Sequence, residues 1–186
     1  MASRSSSAFA VWITGLPASG KSTLAAAVEE QLAARGIDVA VLESDELRKV
    51  FTPDPHYDEQ ERDSFYRQIA YVGALLTRHG VPVILDATAN RRAYRERARQ
   101  QIPRFLEVYV DSPLETCIAR DPKGIYRQAQ SSGAGTVPGI QATYEVPERP
   151  DLIVHGDHES SEAAAGRVIA KLIERGYLDD KPEVFL

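Results

Sequence analysis

A chain of 186 residues suits one domain with a substantial core. Its 22 basic and 27 acidic side chains leave a net charge of −5, which argues against a general nucleic-acid surface, because gripping a phosphate backbone calls for a basic stripe. A single cysteine, Cys117, excludes an internal disulfide framework, and no apolar run approaches membrane-spanning length, so no membrane partner and a cytoplasmic location are expected. Residues 1–8 lack the apolar core of a signal peptide and read as a disordered lead-in, residues 9–178 as the domain and residues 179–186 as a C-terminal tail.

Phe9 to Thr14 reads as a buried strand, and Lys21 to about Arg35 carries Leu24, Val28 and Leu32 at helical spacing. Between them, Gly15-Leu16-Pro17-Ala18-Ser19-Gly20-Lys21-Ser22 fits the P-loop pattern in the strand–loop–helix context that the motif requires. The physics is anion capture. A loop of small side chains turns its N–H groups inward, and the next helix adds its unpaired N-terminal amides and the positive end of its dipole. Lys21 would reach the β- and γ-phosphates of ATP, Ser22 would offer its hydroxyl to Mg²⁺, and Thr23 would complete the nucleotide-binding stretch.

Val39 to Leu42 is a second strand, ending in Glu43-Ser44-Asp45-Glu46-Leu47-Arg48, acids placed where ligands sit beyond strand ends in open α/β sheets. Asp45 is a catalytic candidate there; the plainer alternative is a helix cap. The prolines of Thr52-Pro53-Asp54-Pro55 make a loop, and a long helix from about Asp58 to His79 should bury Phe65, Ile69, Val72 and Leu76. Val81 to Asp86 is a third strand with both faces covered. The helix from Arg91 to Gln101 carries Arg91, Arg92, Arg95, Arg97 and Arg99, which read as a solvated face with Arg92 and Arg95 kept as candidate ligand contacts. Phe105 to Val110 is a fourth strand, Pro113 to Arg120 a short helix, and residues 130–150 a mobile lid. Asp151 to Val154 and Ala163 to Arg175 complete the pattern. The alternation implies an α/β P-loop fold, a mainly parallel five-stranded sheet with helices on both faces. The four histidines show no metal-ligand spacing, while Cys117, Trp12 and Phe65 read as core.

Among P-loop classes, a guanine-specific Asn-Lys-x-Asp element is absent because Asn90 is the sole asparagine, and motors and helicases are usually longer. A small-molecule kinase remains. The strand and P-loop from Val11, the Glu43–Arg48 box, Asp111 to Cys117, and above all Arg120-Asp121-Pro122-Lys123-Gly124-Ile125-Tyr126 resemble the adenylylsulfate (APS) kinases. Gly139-Ile140, Tyr144-Glu145-x-Pro147-Glu148-x-Pro150 and the ending Ile173 to Leu178 extend the resemblance over residues 9–178.

The resemblance implies transfer of the γ-phosphoryl of Mg-ATP to the 3′-hydroxyl of APS, forming PAPS, and an expected homodimer. It places Asp45 at the group that orients or deprotonates the acceptor hydroxyl, Arg120 near ATP, and Arg48 and Arg62 on the acceptor's phosphosulfate. It puts Tyr57 against the acceptor adenine, Ile140 in the acceptor site, and the lid over both ligands. The chain departs from the family pattern at Phe65 for an Asn, at Thr88-Ala89-Asn90 for Ile-Ser-Pro, and at Gly135 and Val137 for a lid Lys and aromatic. One face of the adenine sandwich would then be aliphatic. Asp86, in Asp86-Ala87-Thr88-x-Asn90, resembles a box of other P-loop phosphotransferases and would hold Mg²⁺ through water or act as a base. A kinase of a different small hydroxyl compound and a nucleotide-binding module without turnover therefore stay open.

Overall fold

A computed structural model describes residues 8–132 and 136–180 of the chain. Residues 1–7, 133–135 (with Gly135) and 181–186, on which parts of the lead-in, lid and tail readings fall, lie outside the described residues.

Five strands, β1 (Ala10–Thr14), β2 (Ala40–Glu43), β3 (Val83–Asp86), β4 (Phe105–Asp111) and β5 (Leu152–His155), form one sheet in the order β2-β3-β1-β4-β5. Every pairing is parallel. Such a sheet needs cover on both faces, and each residue of β1 and β3 is buried accordingly. Val11 and Ile13 point to a layer made by α1 (Lys21–Ala33) and α7 (Ser161–Glu174), where Leu24, Val28, Val168 and Leu172 meet them. Trp12 points to the opposite layer, among Phe65 and Ile69 of α3 (Glu59–Arg78), Tyr94 of α4 (Arg92–Gln101) and Phe105. Trp12 and Phe65 are fully buried and Cys117 is buried, as core residues should be.

The register fixes where the chemistry collects. Glu43 lies opposite Asp86, and Asp86 opposite Ile13, so the acidic ends of β2 and β3 come level with the start of the P-loop. The sheet order turns back on itself at β1, the place where open α/β sheets leave a crevice beyond their strand ends.

Three expectations change. The buried stripe of α3 runs through Arg62, Phe65, Tyr66, Ile69, Ala70, Gly73, Ala74 and Thr77, with Val72 and Leu76 only half-buried, because the small residues permit close packing on α4 and β3. Two helices escaped notice, α2 (Ser44–Phe51) and α6 (Ile125–Ser132), both of eight residues and too short to display a period; α5 (Leu114–Arg120) lies between them in the chain. The arginines of α4 are also not a solvated face. Arg95, 2% exposed, donates to Glu107 at 2.7 Å, to Ala89 O and to Glu145 O. Arg92 holds Val146 O and Glu148, Arg97 pairs with Asp63, Arg99 with Glu107 and Asp151, and Arg91 with Glu59. Arg92 and Arg95 thus clamp residues 145–148 onto α4, since a buried guanidinium must satisfy its donors within the protein.

Candidate active site

The P-loop joins β1 to α1, and its shape follows from its small residues. A β-carbon on Gly15 would stand 2.6 Å from Val110 O and 2.8 Å from Ser19 Oγ, so no larger residue fits without displacement. Gly20, at the N-cap position of α1, and Ala18 have φ of 108° and 60°. Three of the loop's carbonyls are taken by side chains. Leu16 O accepts from Lys21 Nζ at 2.8 Å, Pro17 O from the Tyr126 hydroxyl at 2.9 Å, and Ser19 O from the Ser112 hydroxyl at 3.0 Å. Fastening the carbonyls suits a loop whose amides are to face an anion.

A cavity of about 630 Å³ opens in front of this loop. Pro17, Ala18, Gly20, Lys21, Ser22 and Thr23 form one wall. Glu43, Ser44, Asp45, Asp86 and Thr88 also line the cavity, as do Arg120, Lys123, Gly156 and Glu159. Burial pulls the Lys21 ammonium below the ordinary lysine range, and the carboxylates of Asp86 and Asp45 push it back up. An incoming polyphosphate would supply the counter-charge that this buried lysine needs. Arg120 lines the cavity and donates to Gly156 O at 2.8 Å and to Ser19 O of the phosphate loop at 3.5 Å.

Asp45 stands in the first turn of α2, whereas the capping position belongs to Glu43, which makes no side-chain cap. The helix-cap alternative for Asp45 therefore falls. Its Oδ2 accepts from Lys123 Nζ at 2.5 Å, and Glu43 Oε1 lies 4.0 Å from the same ammonium. Asp86 ends β3 and is 4% exposed. Among the described residues no three His, Cys, Asp or Glu side chains group as a metal site. The Ser22 hydroxyl and the Asp86 carboxylate nevertheless line one cavity, and oxygen donors of this kind suit Mg²⁺ beside phosphate oxygens.

The acceptor-side candidates Arg48, Tyr57, Arg62 and Ile140 lie outside this cavity. Arg48, 9% exposed, pairs with Glu61 at 3.0 Å, and its guanidinium lies 3.9 Å from the Phe65 ring centroid and 4.8 Å from that of Tyr57. Glu61 also accepts from the amides of His56 and Tyr57, which holds Tyr57 at a left-handed φ of 58°. Arg62 donates to Tyr57 O at 2.9 Å, Asn90 Oδ1 at 3.3 Å and Thr136 O at 2.5 Å. Ile140 is exposed and Val137 half-buried, and Gly139 between them packs so closely on Leu16 that a β-carbon would meet its side chain at 2.8 Å. Residues 143–145 are tied down by Asn90, which holds Thr143 O and accepts from Glu145 N, and by the Tyr144 hydroxyl, 2.9 Å from that of Thr14.

Sequence reasoning had assigned no role to Lys123, Thr88 or Glu159, which also line the cavity. Lys123 carried a signal, its place in the Arg-Asp-Pro-Lys-Gly block; Glu159 carried none, because it reaches the site only when β5 lies beside β4.

Comparison with known proteins agrees in family. The family model described as adenylylsulphate kinase matches residues 7–155. The adenylyl-sulfate kinase of Synechococcus sp. (strain JA-3-3Ab) is 40% identical over 168 residues, covering 90% of this chain and 96% of the relative. The APS kinase of Mycobacterium tuberculosis, solved in complex with AMPPNP and APS, superposes with a TM-score of 0.84 at 34% identity, covering 89% of this chain and 97% of that one. A gluconokinase from Sinorhizobium meliloti 1021 shares the fold alone, with a TM-score of 0.60 at 18% identity over 92% of this chain and 97% of its own.

Proposed function

The chain belongs to the adenylylsulfate kinase family, and from that premise we propose that it transfers the γ-phosphoryl group of ATP to the 3′-hydroxyl of APS, yielding PAPS and ADP. The observation that carries this reading is that one cavity is lined both by the P-loop and by Asp45 and Asp86. Its volume is within the usual range of a small-ligand site.

In this mechanism Gly15 to Thr23 cradle the phosphates, Lys21 holds the β- and γ-phosphates, and Arg120 stiffens the loop. Ser22, with Asp86 acting through water, would hold Mg²⁺, whose chemistry there would be neutralisation of phosphate charge. Asp45 orients the acceptor hydroxyl. The bond from γ-phosphorus to the ADP oxygen breaks, the bond from the 3′-oxygen forms, and the hydroxyl proton passes to the Asp45 carboxylate. Most of the acceleration comes from alignment and fixed charge rather than covalent chemistry.

On the acceptor side, Arg48 and Arg62 are the cations for the phosphosulfate, Tyr57 is the stacking ring, and Ile140 with Val137 is the aliphatic face. Binding there exchanges an internal partner for the anion, because Arg48 is held by Glu61 and Arg62 by Thr136 O. That same engagement favours a second reading, in which the acceptor is another small hydroxyl compound. A homodimer working in the cytoplasm is the expected setting; no described helix is long and apolar enough to cross a membrane.

The test is product analysis by mass spectrometry with purified protein, Mg-ATP and APS, beside a no-acceptor control and a panel of other hydroxyl compounds. PAPS is the expected product. Intact APS together with phosphorylation of a panel member would give the second reading the field.

A further inference from the structure

The Arg-Asp-Pro-Lys-Gly block is the most distinctive stretch of the chain, and Arg120 alone does not explain it. Its turn links α5 to α6 and is fastened at both ends to the phosphate loop. Arg120 reaches Ser19 O and Gly156 O on one side, and on the other the fully buried Tyr126 donates to Pro17 O. Within the turn, Asp121 Oδ2 accepts from Arg127 N at 3.0 Å and closes the first turn of α6, while Gly124 N donates to Asp121 O at 3.0 Å. Gly124 has φ of 67°, which favours glycine, although a β-carbon there would meet nothing. This frame carries Lys123 to the carboxylates of Asp45 and Glu43.

We propose that Lys123 is a positioning residue for phosphoryl transfer, holding the Asp45 carboxylate by Oδ2 so that Oδ1 is presented to the acceptor hydroxyl. The inference rests on the role given to Asp45 above. Five carboxylates, Glu43, Asp45, Asp86, Asp121 and Glu159, line a cavity that has to admit a polyanion, and the first three come from the ends of β2 and β3 and the start of α2. Of the cations lining it, Lys21 is turned to Leu16 O and Arg120 to Ser19 O and Gly156 O, and Lys123 is the one in contact with Asp45 and Glu43. Both members of the pair are more than half exposed in the open site, at 55% and 56%, where an ion pair contributes little to stability. Its value lies in orientation, and it strengthens when ligands displace water from between the groups. The bond to Asp45 and the nearby carboxylates also lift the Lys123 ammonium above the ordinary lysine range, so it stays charged at neutral pH.

The experiment is a double-mutant cycle on PAPS formation at saturating Mg-ATP and APS, with Lys123→Met, Asp45→Asn and the pair, alongside ATP binding by calorimetry. Lys123→Met should lower kcat about tenfold, in line with the coupling usual for contacting charged groups, with ATP affinity changed less than about twofold. In the Asp45→Asn background the same change should have almost no effect, and Lys123→Arg should recover much of the activity. Additive losses, or a loss confined to ATP affinity, would overturn the assignment. A measurement independent of the acceptor is the NMR titration of the Lys123 side chain, whose midpoint should fall in Asp45→Asn; an unmoved midpoint counts against the pair. Should the native chain form no PAPS while that midpoint still falls, APS as acceptor is lost and the pairing survives.

Discussion

The two halves of this site treat their charged groups in opposite ways. On the nucleotide side, Lys21, Ser22, Asp45 and Asp86 face one cavity, and the protein's own contacts hold the loop carbonyls. On the acceptor side, Arg48 and Arg62 are directed into the protein, toward Glu61, two aromatic rings and the backbone of residues 57 and 136. A triphosphate site can be built from backbone amides and therefore needs few side chains. A site for a phosphosulfate depends on long side chains, and long side chains can be redirected by neighbours such as Phe65.

The sharpest break of that comparison is Lys21→Ala. Losing the ammonium from the phosphate site should cut kcat/KM by roughly a hundred- to a thousandfold, as removing a preorganised charge-stabilising group does. The fold should persist, since the Lys21 side chain makes one bond, to Leu16 O. Steady-state kinetics with a thermal melt checks it, and unchanged turnover would mean that the loop does not hold ATP.

Arg48→Met tests the other half. The guanidinium packs between Tyr57 and Phe65 and is bonded to Glu61, so its removal should lower stability by about 2 kcal/mol as well as raise the KM for APS. Urea unfolding and kinetics on one preparation separate the two effects. A raised KM with an unmoved urea midpoint would show Arg48 to be a free ligand-gripping group, and the contrast between the halves would be lost.

That contrast also explains what could be read from the chain. The P-loop was legible because strand, loop and helix are contiguous and the glycines mark where backbone must approach backbone. The parallel sheet followed from the β–α alternation. Asp86 could be placed at the cavity because strand ends point at the crevice, and Asp45 because it follows Glu43, which register brings level with Asp86. The arginine run on α4 misled because its partners, Glu107, Asp151 and the carbonyls of residues 145 and 146, are distant in sequence. Burial of Arg48 depends on a loop turned by the left-handed Tyr57, which no periodicity announces. Short α2 and α6 left no repeat to detect.

A smaller effect is expected from Val137→Phe. Base–aromatic stacking is worth about 1–3 kcal/mol per base in single-strand binders, so an added ring on this face should lower the KM for APS by roughly tenfold if Val137 lies over the acceptor adenine. ATP affinity should stay put. An unaltered KM for APS would place this segment elsewhere during turnover.

The smallest effect concerns Tyr144, which joins residues 143–146 to the end of β1. Its hydroxyl lies 2.9 Å from that of Thr14, and its ring stacks on Tyr109 with centroids 6.1 Å apart. Burial pushes its pKa up to about 12, while the Thr14 hydroxyl and Arg95 pull the other way. The folded state therefore favours the neutral phenol. Its contribution is complete below the unfolded value of about 10 and is lost as the pH rises from about 10 to 12, amounting to at most about 3 kcal/mol. At neutral pH, Tyr144→Phe should cost only about 1 kcal/mol, for one hydrogen bond. Urea midpoints measured from pH 9 to 11.5 should fall less steeply in the variant than in the native chain, with Tyr109 and Tyr126, also raised by burial, accounting for the remaining slope. Identical slopes would mean that Tyr144 titrates as a free phenol and that residues 143–146 stand away from the sheet in solution. Acceptor-side contacts reaching through Asn90 to Arg62 would then form only when ligand brings that segment down.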